Sequence, residues 1–226
     1  MRHTIFAHMR KWLMRWLSEF VPVRLDRRQG RYGTLELSLE HGQLVVNSLH
    51  ANQSFGSLHR IWQTCFRDIG IEHTPPEHVL LLGYGAGSVA RIIRDELGLH
   101  CHITAVENDP LMIEWARTHF GLDDFADLTL LEMDAVQAVA TLPQAFDLVI
   151  VDLFVELDVA PGTAEPNFLN MLRDKVLPGG TLLFNTITHD APSTVLSARM
   201  GEQLRLCFGS VTERCYEGDN VMFIAR

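Results

Sequence analysis

Cysteine is scarce in this chain. Its 226 residues hold four, Cys65, Cys101, Cys207 and Cys215, and no two stand in a C-x-x-C spacing. A chain of this length buries enough apolar surface to need no disulfide staples, so reduced thiols and a cytoplasmic setting are expected. No apolar run approaches the roughly 18 residues of a membrane span, and there are no internal repeats or low-complexity tracts. Basic residues are also in short supply, with 19 Lys and Arg against 28 acids and a net charge of −9. Seven of those 19 fall within residues 1–28 beside two acids, which leaves about −14 for the remainder. An acidic body of that kind disfavours nucleic-acid binding and attracts small cations, though the same charge also serves solubility.

What is present begins with a basic amphipathic segment. Ile5, Met9, Trp12, Leu13, Trp16, Leu17 and Phe20 recur at helical spacing, with Arg10, Lys11 and Arg15 opposite. A helix here either docks on the protein's own core or on a partner subunit, as in a homodimer, or rests on an anionic membrane surface through residues 1–20. The segment lacks the uninterrupted apolar stretch and small-residue cleavage site of a signal peptide. Leu35, Leu37 and Leu39 then alternate with polar residues, and the alternation resumes at Leu44 and Val46 after His41-Gly42, which predicts a β-hairpin over 34–47. Residues 56–69 read as a helix that ends at Gly70, and Pro75-Pro76 closes this N-terminal part, residues 1–76.

From residue 77 onward, strands and helices alternate. HVLLLG, HITAVE, LTLLEM and FDLVIVD are strand-like, separated by helices from about Ser88, Pro110 and Asp134. Nearly continuous apolar strands are expected where helices cover both sheet faces, so residues 77–226 should form a parallel, doubly wound α/β sheet. A helix near 165–174, a turn at Pro178-Gly179-Gly180, the strand TLLFNTI and a helix near 192–206 follow. The segments 209–215 and 220–225 should close the fold as an antiparallel hairpin at the sheet edge.

In such a sheet, ligands bind beyond the carboxyl ends of the strands. The first strand ends in Gly83-Tyr84-Gly85-Ala86-Gly87-Ser88, where Gly83, Gly85 and Gly87 let a ligand approach the backbone. Glu107 ends the next strand, where a carboxylate can accept from ribose hydroxyls, and Asn108 beside it joins the cofactor-binding set. A dinucleotide site prefers G-x-G-x-x-G, and Ser88 occupies the third glycine position. The spacing G-x-G-x-G is common among S-adenosylmethionine enzymes, which leaves a nicotinamide oxidoreductase as the runner-up. Asp134 can accept from an adenine amino group while the Ala135 backbone offers a donor; Asp134 is equally an N-cap, and the two roles coexist. Asp152 ends the fourth strand and is placed to orient or deprotonate an amine, or else simply to cap its loop.

Other chemistries find little support. His100 and His102 share a strand face but have no further ligand cluster, Asp123, Asp124 and Asp127 lack calcium-loop spacing, and Ser88 lies in no G-x-S-x-G elbow. No metal site is expected.

The successive motifs VLLLGYGAGSVARII, ITAVENDPLMIEWARTHFG, LLEMDA, FDLVIVDLF and LPGGTLLFN resemble those of the spermidine synthase family over residues 31–226. That resemblance implies a Rossmann-like, class I methyltransferase fold with seven strands, the last antiparallel, preceded by a small β element. It implies that Gln53 helps hold the cofactor, that Glu107 binds ribose, that Asp134 and Ala135 flank adenine, and that Asp152 assists attack by an amine. It also marks departures. The family's first loop reads G-G-G-D-G-G, whereas Ala86 stands at the acid, and the second acid expected three residues after Asp152 is Val155, with Glu156 and Asp158 nearby. Ser57-Leu58-His59-Arg60 lies where the family has a polyamine-binding tyrosine-histidine-glutamate stretch, and Arg60 would repel a di-cation. The expectation is a transferase using S-adenosylmethionine, or its decarboxylated form, on a small acceptor such as an amine. Methyl transfer is favoured slightly over aminopropyl transfer, and a non-catalytic nucleotide-binding protein is a further alternative.

Overall fold

The computed structural model describes residues 13–49 and 51–226. Most of the basic amphipathic segment, including Ile5, Met9 and Trp12, lies outside the described residues, and residues 13–17 are helical. Four antiparallel strands follow and pair in chain order: β1 (Val23–Gln29), β2 (Thr34–Glu40), β3 (Gln43–Asn47) and β4 (Asn52–Ser54). Strands β2 and β3 are the expected hairpin, with Leu37 opposite Val46 and Leu39 opposite Leu44. The turn between them holds His41 and Gly42 at positive φ, the twist a two-residue hairpin turn requires. The flanking strands are additions to that expectation. β1 carries four charged residues in seven and is largely exposed, so no apolar alternation announces it. The helix Gly56–Ile69 ends as foreseen, with Gly70 in the left-handed conformation and its N–H returned to the last turn.

Seven further strands build the main sheet: β5 (His78–Leu82), β6 (His102–Glu107), β7 (Leu128–Glu132), β8 (Phe146–Val151), β11 (Val176–Ile187), β12 (Val211–Tyr216) and β13 (Asn220–Ala225), with the two-residue strands β9 (Phe154–Val155) and β10 (Asp158–Val159) forming a separate small hairpin. The order across the sheet is β12-β13-β11-β8-β5-β6-β7. The five strands from β11 to β7 are parallel, while β13 runs antiparallel to both of its neighbours. The doubly wound α/β sheet, its seven strands and its antiparallel last strand are therefore as expected. One local difference is at Pro178-Gly179-Gly180, which is absorbed within β11 as a register shift between Val176 and Thr181.

The sheet's two faces are sorted by the strand period of two. Val79, Leu81, Leu148, Ile150, Met222 and Ile224 pack on one side with Trp62 and Phe66 of the helix Gly56–Ile69. Leu80, Leu82, Val149, Val151, Val221 and Phe223 face the other, beneath the helices Ala135–Thr141, Pro166–Asp174 and Ala191–Cys207. A third cluster joins the small sheet to the large one: Leu35, Leu37, Val45 and Val46 meet Ala86, Leu111, Met112, Trp115 and Phe120. No described helix is long and apolar enough to cross a membrane.

Because Trp115 is 1% exposed in that joining cluster, Trp115→Ala is expected to cost about 3–5 kcal/mol in urea unfolding. The loss should appear in one transition, since the small sheet and the helix Pro110–Phe120 share the cavity it would leave.

Candidate active site

The chain runs from β5 outward through β6 and β7, then returns at β8 on the other side of β5. The crevice opens where that direction reverses, beyond the carboxyl ends of β5 and β8. Gly83, Gly85 and Gly87 sit at φ 90, 57 and 96°, in the region that favours glycine. A Cβ on Gly83 would lie 2.1 Å from the Asp152 carbonyl oxygen, and one on Gly87 2.6 Å from the Tyr84 hydroxyl. Gly83 is pressed against neighbouring backbone and Gly87 against the Tyr84 side chain, so both positions need glycine on steric grounds alone.

Glu107 leaves the end of β6 and turns its carboxylate into this loop. It accepts from Gly85 N–H at 2.8 Å on Oε2, and from the N–H groups of Asn108 and Asp109 at 2.9 Å on Oε1. Burial pushes its pKa up and these backbone donors oppose the shift. A carboxylate has about four lone-pair positions, so Oε2 keeps room for one ligand hydroxyl. The Asn108 side chain donates to the Tyr32 hydroxyl at 2.7 Å, which ties this rim to the small sheet. Asp109 caps the helix Pro110–Phe120 through Leu111 N–H and accepts from Arg31 N–H.

Asp134 is the N-cap of the helix Ala135–Thr141, with Oδ1 accepting from Val136 and Gln137 N–H at 2.9 and 3.1 Å. Ala135 opens that helix, and both residues line the cleft. On the opposite wall Gln53, from β4, donates to the Ser48 hydroxyl at 3.1 Å, and Ser48 donates to Glu156 at 2.7 Å. Glu156 sits at φ 57° in the tight turn between β9 and β10, which brings it to the cleft with Val155, whereas Asp158 points away toward His189. Ser57 and Leu58 line the cleft; His59 instead contacts Ser88 and Glu96, and Arg60 pairs with Glu217.

Asp152 follows β8 directly. Its Oδ2 accepts from the Trp62 indole N–H at 2.8 Å and its Oδ1 from the Asn185 amide at 3.0 Å. Burial raises its pKa to about 6, against those two hydrogen bonds, which favour the ionised form.

These groups surround a cleft of about 510 Å³. Its floor includes Val106, Met112 and Met133, suited to an apolar ring. Seven acids line it, namely Glu107, Asp109, Asp134, Asp152, Glu156, Glu217 and Asp219, and no Lys, Arg or His among the described residues does. Of the nine residues expected at the site, Gln53, Gly83, Gly85, Glu107, Asn108, Asp134, Ala135 and Asp152 line this cleft; Gly87 is not in the lining and stands close to the ring of Tyr84, which is. Ala86 is not part of the lining. It is fully buried in the cluster that joins the two sheets, with its N–H donated to the Ser54 hydroxyl. Sequence reasoning missed Asp109, readable as an Asp-Pro helix start, and Tyr32, Trp62 and Asn185, whose roles depend on contacts across the chain. Among the described residues, no group of three or more His, Cys, Asp or Glu could hold a metal.

Residues 79–180 match the family described as a methyltransferase domain. Over 111 residues the chain is 30% identical to a polyamine aminopropyltransferase of Chromobacterium violaceum, a stretch covering 49% of this chain and 42% of that protein. The chain spans less than half the length of the curated relatives it matches. Among solved structures it is similar to a probable spermidine synthase from Corynebacterium glutamicum, with a TM-score of 0.73 at 16% identity over 88% of this chain and 79% of that one. It is also similar to human methyltransferase-like protein 13 in complex with SAH, with a TM-score of 0.61 at 22% identity over 76% and 82% of the two chains. The seven-stranded sheet, with its glycine loop after β5 and its antiparallel last strand, is thus a class I methyltransferase fold of the spermidine synthase-like kind.

Proposed function

We propose that the protein is an S-adenosylmethionine-dependent group transferase acting on a small amine. The observation that carries this reading is the acidity of the cleft, whose described lining holds seven Asp and Glu and no described Lys, Arg or His. Such a site suits a sulfonium donor and an ammonium acceptor, whereas the pyrophosphate of a nicotinamide dinucleotide would meet seven carboxyl groups, one of which, Glu217, is paired with Arg60, itself not among the described lining residues. In this reading Gly83, Gly85 and Gly87 let the donor approach the backbone, Glu107 and Asn108 hold its ribose side, Asp134 and Ala135 flank its adenine, and Gln53 closes over it. The donor supplies an electrophilic carbon next to its positively charged sulfur. Asp152, held ionised above about pH 6, accepts a proton from the amine and orients its lone pair toward that carbon.

Methyl transfer ranks first because Ala86 stands where the spermidine synthases carry an acid for the donor's amine end, although the acidic lining by itself suits the more positive decarboxylated donor. Aminopropyl transfer ranks second, supported by the polyamine aminopropyltransferases among the relatives. Calorimetry with S-adenosylmethionine, its decarboxylated form, their two thio-nucleoside products and NAD is expected to give the intact donor as the tighter of the two donors. Decarboxylated donor binding tenfold more tightly, a gap of about 1.4 kcal/mol, would reverse the ranking. Binding of NAD alone would overturn the reading, and binding of none would leave a non-catalytic protein.

Asp152→Asn should keep donor affinity within about threefold while turnover falls by roughly 100-fold or more, and in the unaltered protein the rate should climb as pH rises through about 6. Equal turnover in the variant would remove the assigned role. The same substitution has a consequence for stability. Since the folded protein holds the Asp152 proton more tightly than the unfolded chain does, the associated stabilisation is present below pH 3.8 and lost as pH rises through about 6. Thermal unfolding of Asp152→Asn at pH 8 should therefore show a gain of up to about 3 kcal/mol over the parent, shrinking to nothing near pH 4.

A further inference from the structure

The two groups that grip Asp152 come from opposite parts of the chain. Trp62 lies on the helix Gly56–Ile69 and Asn185 lies within β11; both are fully buried. Trp62 presents its only polar atom to Oδ2, and Asn185 presents its amide nitrogen to Oδ1. The amide can face the carboxylate only with its nitrogen, since two oxygens would repel. That choice leaves the Asn185 carbonyl oxygen buried with no hydrogen-bond partner. An unsatisfied buried acceptor is costly, and a leucine would fill the same space without it, so packing alone gives no reason for an asparagine there. Its contact with Asp152 does.

We propose that Trp62 and Asn185 are positioning residues for Asp152, fixing one lone pair on each carboxylate oxygen so that the other faces the cleft, and favouring the ionised, proton-accepting form. The inference rests on the reading of Asp152 as the base in amine transfer. Among the described residues, Trp62 and Asn185 are the side chains that donate hydrogen bonds to the Asp152 carboxylate, and both oppose burial in setting its proton affinity. The charged groups on the surrounding elements are engaged elsewhere. On the helix Gly56–Ile69, His59 contacts Ser88 and Glu96, while Arg60 pairs with Glu217 of the β12–β13 turn. Glu156, after β9, accepts from Ser48, and Glu107, after β6, holds the glycine loop. Asp219, another carboxyl group lining the cleft from the β12–β13 turn, is not among the groups that shift the Asp152 proton affinity.

The test is titration of the Asp152 carboxyl by carbon NMR on protein labelled at aspartate, with its signal assigned by its loss in Asp152→Asn. Trp62→Phe keeps the ring and removes the N–H; Asn185→Leu removes the amide. Each is expected to raise the Asp152 midpoint by about one pH unit, a tenfold smaller ionised fraction below it, while the other aspartates titrate as before. An unchanged or lower midpoint in a folded variant overturns the proposal, and either variant decides the matter if the other does not fold. A role confined to packing would lower the melting temperature and leave the titration alone. The turnover of Asp152→Asn, measured separately, decides whether Asp152 is the base. Retained turnover there with shifted midpoints here would sink that reading and spare the grip.

Discussion

The carbonyl of Asp152 occupies the space where a side chain on Gly83 would begin, and the site depends on that contact. Leu82 of β5 is in register with Val106 of β6 and with Val151 of β8, so Gly83, Glu107 and Asp152 emerge side by side. Glu132, level with Glu107, brings the next strand to the same edge. A parallel sheet whose strands end flush sets its terminal residues in a row, and the lack of a side chain at Gly83 leaves the glycine loop thin enough to pass beside Asp152. The acids of the cleft stand close together because backbone hydrogen bonding set the strands in register, and the glycines keep that row from being forced apart.

The opposite wall comes from the N-terminal part of the chain. Ion pairs such as Arg28 with Glu114, at 2.6 Å, and Arg60 with Glu217, at 2.9 Å, cross from it to the main sheet. Exposed pairs of this kind are screened by solvent and contribute little to stability. The buried meeting of Leu37, Val46 and Phe55 with Trp115 and Phe120 is the stronger tie. It carries Gln53 and Ser54 to the glycine loop, where the Ser54 hydroxyl accepts from Ala86 N–H. The same wall sends Trp62 to Asp152, so the chemical group at the end of β8 is held from the element that closes the cleft over it.

The main sheet was legible because strands such as VLLL and LVIV are apolar on both faces, a pattern only a covered sheet requires. β1 and β4 were not, since one is mostly charged and the other is three residues of polar sequence whose pairing is set by the hairpin beside it. The acids at strand ends could be named because topology alone places them. Trp62 could not, as its spacing within the helix announces a core residue and says nothing of which atom its indole N–H will meet. Ala86 shows a different limit. Between two glycines in the left-handed region, the direction of its methyl group follows from dihedral angles that no composition reveals, and it points into the joining core.

The acidic lining has a consequence for the order in which molecules leave. In the transfer proposed here the donor enters with a sulfonium charge that its thioether product lacks, so that part of its attraction to the surrounding carboxylates is lost in the chemical step itself. At an effective dielectric constant near 20, one charge pair 5 Å apart is worth about 3 kcal/mol. In that reading a cleft without a described basic group would act as a charge filter, holding the spent nucleoside less firmly than the fresh donor that replaces it.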